Sequence, residues 1–361
     1  MFTPPVRYTP DVETIALDEQ DTIKRLNSAF DIILERTAED YGHAVRSVHA
    51  KSHGILRGEM LIDGDLPPEL AQGLFAKPGT HPVYLRMSTN AGDILPDTIS
   101  LPRGLAIKVL DVEGERLPGA QGTTQDFIMV NGKVFQAKTA DKFLGNLKLL
   151  ARTTDRIEGV KKVASATLRG VRHAIEAVGL EPPAALNSLG GAPQAEPLGE
   201  TYYSTTPFRY GAYIAKFSIA PVAPAMTALT GSEIDVDGRD NAIREDVQAE
   251  MRGIDAEWEF RVQLCRDLEK QPVEDPTVAW DEQDAPFVKV ATIRAAAQDS
   301  WDPALVQAVN EEMRFGIWTG LAAHQPLGNI NRARNEAYRH SADFRARVNG
   351  CPYHEPAATD A

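Results

Sequence analysis

A series of short, apolar, partly alternating segments, each ended by turn-forming residues, constrains this chain more than any other feature. Residues 55–62 alternate in part and stop at Asp63-Gly64. Residues 83–88 and 105–110 follow, punctuated by Gly104 and Glu113-Gly114. Residues 126–130 run into Asn131-Gly132, a strong turn dipeptide. Residues 46–50, 201–203, 213–220, 258–265 and 288–293 read as further strands. The first strands lie too close together for βαβ units, and no Gly-rich phosphate loop occurs. The pattern predicts an α+β protein built on an antiparallel, barrel-like sheet.

Helical spacing appears at four places around these strands. Residues 18–39 carry Ile23, Leu26, Phe30, Ile33 and Leu34, mostly three or four apart. Residues 141–151 and 159–178 have the same spacing and form an inserted helical pair, and 240–251 adds a shorter helix. After Ser300 the chain turns helical again. Residues 188–199 and 221–239 read as loops. The expected layout is one domain over 1–361. It has an extended arm at 1–16, a helix at 17–40, a barrel at 44–299 with helices inserted near 140–180, and C-terminal helices at 300–361.

Composition excludes several classes. Hydrophobic content of 43% and charged content of 25% suit a chain with a real core. A net charge of −13 argues against a nucleic-acid partner. Cys265 and Cys351 are too few for a disulfide framework, and no apolar leader opens the chain, so a reducing, cytoplasmic setting is expected. No run of eighteen apolar residues predicts a membrane span. His43, His53, His81, His324 and His340 have no metal-ligand spacing, and Gly-x-Ser-x-Gly is missing.

Residues 331–345 hold the most suggestive chemistry. On a helix Arg334 and Tyr338 share a face, and Arg345 falls two turns beyond Tyr338 on the same stripe. Tyrosine ionises near pH ~10, and a neighbouring cation or bound metal favours the phenolate. The hypothesis is that Tyr338 ligates haem iron; an amphipathic helix with a core tyrosine fits the same residues. Upstream, His49 has the chemistry to move a proton between two peroxide oxygens, or to sit satisfied at a strand end. A regular strand would put Arg46 and His49 on opposite faces, so a shared role requires a twist or bulge. Arg86 and Ser88 share a strand face: one suits an anionic cofactor, the other suits orienting His49. Thr123, Thr124 and Gln125 offer hydrogen bonds to a peroxide, or form only a polar turn.

Four motifs in order carry a family resemblance. Arg-x-Val-His-Ala-Lys, Leu-Arg-Met-Ser-Thr-Asn-Ala-Gly, Pro-Arg-Gly-Leu-Ala-Ile-Lys-Val and Arg-x-x-x-Tyr resemble the haem catalases over residues 44–348. The closest likeness is to short bacterial catalase-related proteins, a trimmed catalase core, which the end at residue 361 suits. The resemblance implies a catalase-type barrel and haem b. It implies Tyr338 as the iron ligand, Arg334 as the arginine that keeps the phenolate ionised, and His49 with Val48 and Ser88 on the distal side. It further implies Arg46, Arg86 and Arg345 on the propionates, and Phe127 among the cofactor-binding residues. In catalases the axial haem ligand is a tyrosine.

The likeness departs at one segment. Catalases carry a distal asparagine in a stretch that aligns with residues 122–127, where this chain has Thr123, Thr124 and Gln125. Asn131 is read as part of the turn beyond the strand and not as that amide. The expectation is therefore a haem peroxidase for organic and lipid hydroperoxides and hydrogen peroxide, with an external reductant and weak catalase activity. A hydroperoxide isomerase of allene oxide synthase type is the alternative, although such proteins favour threonine where Val48 stands. A non-enzymatic haem-binding barrel is the third reading. A dimer or tetramer is expected from the resemblance.

Overall fold

The computed structural model describes residues 2–153, 191–351, 353, 355 and 356. Nine strands make one antiparallel sheet: β1 (Ser52–Ile62), β2 (Gly79–Thr89), β3 (Arg103–Val109), β4 (Gln125–Val130), β5 (Tyr202–Tyr203), β6 (Phe208–Tyr210), β7 (Tyr213–Pro221), β8 (Ala256–Leu264) and β9 (Phe287–Ala295). The hydrogen-bonded order is β5-β4-β3-β2-β1-β9-β8-β7-β6, and β5 also pairs with β7. That last pairing, Tyr202 to Ile219 and Tyr203 to Ser218, closes eight strands into a barrel and leaves β6 as an extension beside β7. Closure removes the exposed edges that an open sheet would present.

Alternation along the strands decides what fills the barrel. Phe127 of β4, Phe217 of β7 and Phe260 of β8 point inward with Phe75, Tyr210 and His324, and their ring centroids lie 4.7–6.4 Å apart where they pair. Phe75 and His324 enter on two 3-10 turns, Gly73–Ala76 and Ala322–His324. Truncating one of these phenylalanines to alanine would cost ~3–5 kcal/mol by loss of burial and cavity formation. His324 accepts a hydrogen bond at Nε2 from the Leu74 amide (2.9 Å), so the ring is held neutral in an apolar setting. Burial lowers its pKa to about 3.

Helices cover one side of the barrel. α1 (Glu19–Tyr41) buries Ile23, Leu26, Phe30, Ile33 and Leu34, the stripe read from the sequence, and ends at Gly42 in the left-handed conformation (φ 63°). α2 (Ala140–Thr153) packs Leu144 and Leu147 against it. α3 (Pro224–Thr227) is a single turn, and α4 (Ala242–Met251) lies against β1. α5 (Pro303–Val306) runs directly into a π-helical turn, Gln307–Glu312. α6 (Asn329–Asn349) packs on α1 and α2. The N-terminal arm is tied to α6 through Arg332, which pairs with Glu13 (2.5 Å), Glu19 (2.7 Å) and Glu274 (3.1 Å). Among the described residues no helix is long and apolar enough to cross a membrane.

Two expectations need correction. Residues 46–50 are an irregular bend and not a strand, because His49 adopts φ 55° and breaks the extended backbone. The sequence reading also passed over β6, a three-residue strand too short to show alternation. The expected helix at 159–178 lies outside the described residues. The paired apolar loops around His324 generate a pH test. An unfolded imidazole protonates near pH ~6.5. Stability from the neutral buried ring is therefore complete above that pH and falls as pH drops toward 3. Denaturant titrations at pH 7 and pH 5 are expected to show His324→Gln losing about 2 kcal/mol less than the parent over this interval. An unchanged pH slope would contradict the assignment.

Candidate active site

The outer face of β2, β3 and β4 forms the floor of a cavity of about 730 Å³. Antiparallel register sets Ser88, Gly104 and Val130 side by side, and Arg86, Ala106 and Ile128 in the next row. Directly paired residues point to the same face. Glycine and alanine in the middle strand therefore leave a shallow trough between taller neighbours. α6 faces this floor with a stripe spaced three or four apart: Ile330, Ala333, Ala337, Ser341 and Arg345, with Arg334 and Tyr338 beside it. Leu26, Phe30 and Ile33 of α1 and Phe143 and Leu147 of α2 supply apolar walls.

His49 lies on the bend before β1, and several contacts hold it there. Its Nδ1 is 3.0 Å from Ser88 Oγ. Arg86 donates to the carbonyl oxygens of His49 (2.9 Å) and Ala50 (3.3 Å), and the Ala50 amide donates to Ala91 (2.9 Å). Two residues before His49, the Ser47 amide donates to Ser341 Oγ on α6 (3.0 Å). A left-handed histidine is disfavoured, and these bonds over-determine it. The ring lies against Gly104, where an added Cβ would fall 2.6 Å from Nδ1. Burial lowers the imidazole pKa to about 3, and the nearby guanidinium groups of Arg86, Arg334 and Arg46 push it the same way. At neutral pH the ring is uncharged.

Tyr338 lines the same cavity from α6. Arg334 lies one turn earlier, with Nη2 3.4 Å from the phenol oxygen and the guanidinium carbon 5.5 Å from the ring centroid. Arg334 is oriented by Asn331 Oδ1 (3.2 Å), and Asn331 is itself fully buried, accepting from Thr206 (2.9 Å) and donating to Pro207 and Leu327 carbonyls.

Arg46, Arg86 and Arg345 converge at one end of the cavity. Burial lowers the pKa of each, and mutual repulsion lowers those of Arg46 and Arg86 further. Glu311, whose charge opposes this lowering in all three, pairs directly with His43 at 3.0 Å. The guanidinium groups bond instead to carbonyl oxygens and to an amide oxygen. Three buried cations with no carboxylate in direct ion-pair contact among the described residues fit a ligand that carries two carboxylates. The trough, the phenol and this cationic end therefore fit a flat dianionic metal complex such as haem.

Eight residues singled out from the sequence thus line one cavity: Arg46, Val48, His49, Arg86, Ser88, Arg334, Tyr338 and Arg345. Thr123, Thr124 and Phe127 do not. Thr123 is exposed, and Thr124 donates to Glu355 (2.9 Å) within a buried charge cluster around Lys108. Gln125 accepts from the Leu321 amide (2.8 Å). Phe127 has the wrong parity: it points into the barrel, and its neighbour Ile128 faces the cavity. Asn131, set aside as a turn residue, lines the cavity. Its Oδ1 accepts from the Arg103 amide (2.8 Å) and its Nδ2 donates to Glu200 (2.6 Å), which fixes the amide orientation. It sits beside Arg103, one row beyond Val130, Gly104 and Ser88, a placement its Asn-Gly turn dipeptide does not reveal.

These elements define a catalase fold. The chain resembles a fungal catalase (17% identity, TM-score 0.60), covering 97% of itself and 66% of that chain. It resembles catalase A from Saccharomyces cerevisiae (16% identity, TM-score 0.58), covering 99% of itself and 72% of that chain. A bacterial catalase is similar at 17% identity and TM-score 0.57, with 98% and 66% covered. The chain therefore spans about two thirds of the length of the first of these proteins. At such identity the likeness is one of fold. No family model and no curated protein sequence matches the chain.

Gly104 gives the most direct test of the site geometry. Gly104→Ala is expected to keep the fold, seen by circular dichroism and melting temperature, while displacing the imidazole. The His49 ring resonances, followed by nuclear magnetic resonance, are expected to shift as the imidazole leaves Ser88. A folded variant with unmoved His49 resonances would contradict the close approach of the ring to Gly104.

Proposed function

We propose that the chain binds haem b and acts as a peroxidase on organic hydroperoxides and hydrogen peroxide. The observation that carries this reading is one cavity that joins a Ser88-held neutral imidazole, an Arg334-paired phenol and a buried cationic end with no direct carboxylate ion pair among the described residues. Tyr338 would ligate the iron as a phenolate, with Arg334 holding the phenolate charge. Arg46, Arg86 and Arg345 would meet the propionates through charge-assisted bonds. When bound, the haem supplies an iron centre with the redox equivalents for breaking an O–O bond.

The chain's own residues handle the protons. With Nδ1–H donated to Ser88, Nε2 of His49 carries the free lone pair. It takes the proton of the peroxide and returns it to the departing oxygen, so the ring gains no lasting charge. Asn131 Nδ2 keeps one N–H beyond its bond to Glu200, and we assign it as the distal donor to the peroxide. The expected weak catalase activity rested on the missing distal asparagine, and on our reading Asn131 would supply that amide. The preference for organic peroxides rests instead on the aliphatic and aromatic walls of α1 and α2.

Haem-loaded protein, a phenolic reductant and either cumene hydroperoxide or hydrogen peroxide test the proposal. His49→Ala is expected to lower turnover by about 10²–10⁴-fold, the range of general acid–base contributions. The depressed imidazole pKa keeps the base form present as pH falls, so turnover is expected to hold from pH 8 to pH 5 with no inflection at the free-histidine value of about 6.5. Unchanged turnover in His49→Ala would point to a carrier or sensor. An epoxide or ketol product formed without reductant would point to an isomerase.

A further inference from the structure

The three arginines share one partner that neither the sequence motifs nor the fold likeness brings forward. The Asn310 carbonyl accepts from Arg46 Nη1 (2.9 Å) and from Arg345 Nη2 (2.5 Å), and its side-chain Oδ1 accepts from Arg86 Nε (2.9 Å). The flanking carbonyls extend the pattern. Arg46 Nη2 donates to Val309 (3.0 Å) and Met313 (3.2 Å), and Arg345 Nη2 also donates to Glu311 (3.1 Å). All of these acceptors lie on or beside the π-helical turn Gln307–Glu312.

The geometry points to Asn310 as the positioning residue that sets the three guanidinium groups for a dicarboxylate ligand. This rests on the haem reading given above. The C-terminal carbonyls of a helix are unpaired and carry partial negative charge. A π-helical turn widens the backbone and is frequent at functional sites. Here it turns Asn310 so that its backbone and side-chain oxygens both meet cations. Guanidinium groups are planar forks, so fixing one edge fixes where the remaining N–H bonds aim. Carbonyl oxygens hold the cations without neutralising them, which leaves their charge for the ligand. Glu311 is the carboxylate whose charge reaches all three, yet it pairs with His43 (3.0 Å) and makes no ion pair with any of them. Arg86 also grips the His49 carbonyl, so the same side chain of Asn310 bears indirectly on the distal bend.

Haem and haem dimethyl ester separate this role from general structural support, because only the first carries free carboxylates. The parent is expected to release the ester faster than haem. Asn310→Leu frees Arg86 Nε and is expected to speed haem release about tenfold, the scale of a lost bond to a charged group, with ester release unchanged. Asn310→Asp places a carboxylate against Arg86 and is expected to speed haem release further, again sparing the ester. Circular dichroism and the melting temperature of the cofactor-free variants check folding. Equal acceleration for haem and ester, or no acceleration for either, would overturn the role of Asn310. A parent that binds neither compound would instead overturn the haem reading itself.

Discussion

The register of β2 against β3 fixes everything else in the site. It sets Ser88 opposite Gly104, so a hydroxyl and an empty position share one face of the barrel wall. The imidazole of His49 fills that empty position and meets the hydroxyl at 3.0 Å. A slip of one residue would turn Ser88 and Arg86 into the barrel and bring Met87 outward. The dense aromatic interior around Phe127, Phe217 and Phe260 prevents such a slip, because each inward ring has neighbours on other strands. The packing of the core thus holds the geometry of a site that lies outside it.

Charge is organised around the same wall. Arg86 belongs to the sheet, Arg46 to the bend before β1, and Arg345 to α6. Their convergence joins the three parts of the fold that enclose the cavity. Burying three cations together opposes folding unless something receives their hydrogen bonds. The carbonyl end of the π-helical turn does so, and the cluster keeps a net positive charge. Arg86 carries two tasks, since it faces the ligand end and also clamps the left-handed backbone of His49.

Much of this was legible in the sequence, and the failures have physical reasons. The strands showed because their turns carry Asp-Gly and Asn-Gly signals, and the α6 stripe showed because Arg334, Tyr338 and Arg345 keep helical spacing. The bend at 46–50 did not show, because its conformation is imposed by Arg86 and Ser341 from distant segments. Phe127 was placed wrongly because residues 127–130 are apolar at every position, so alternation could not say which side faces in. Asn131 was hidden by its own turn signal: the residue that ends β4 also lines the cavity. Asn310 left no signal at all, since nothing in its local sequence announces a π-helical turn.

The central claim is that Tyr338 and the arginine end together hold haem, with the phenolate on the iron. The ferric spectrum of the reconstituted protein tests it, by absorption and electron paramagnetic resonance together. The account expects a high-spin, oxygen-ligated signal that is retained in His49→Ala and lost or replaced in Tyr338→Phe. A signal that is unchanged in Tyr338→Phe, or one that reports histidine ligation and disappears in His49→Ala, would contradict it.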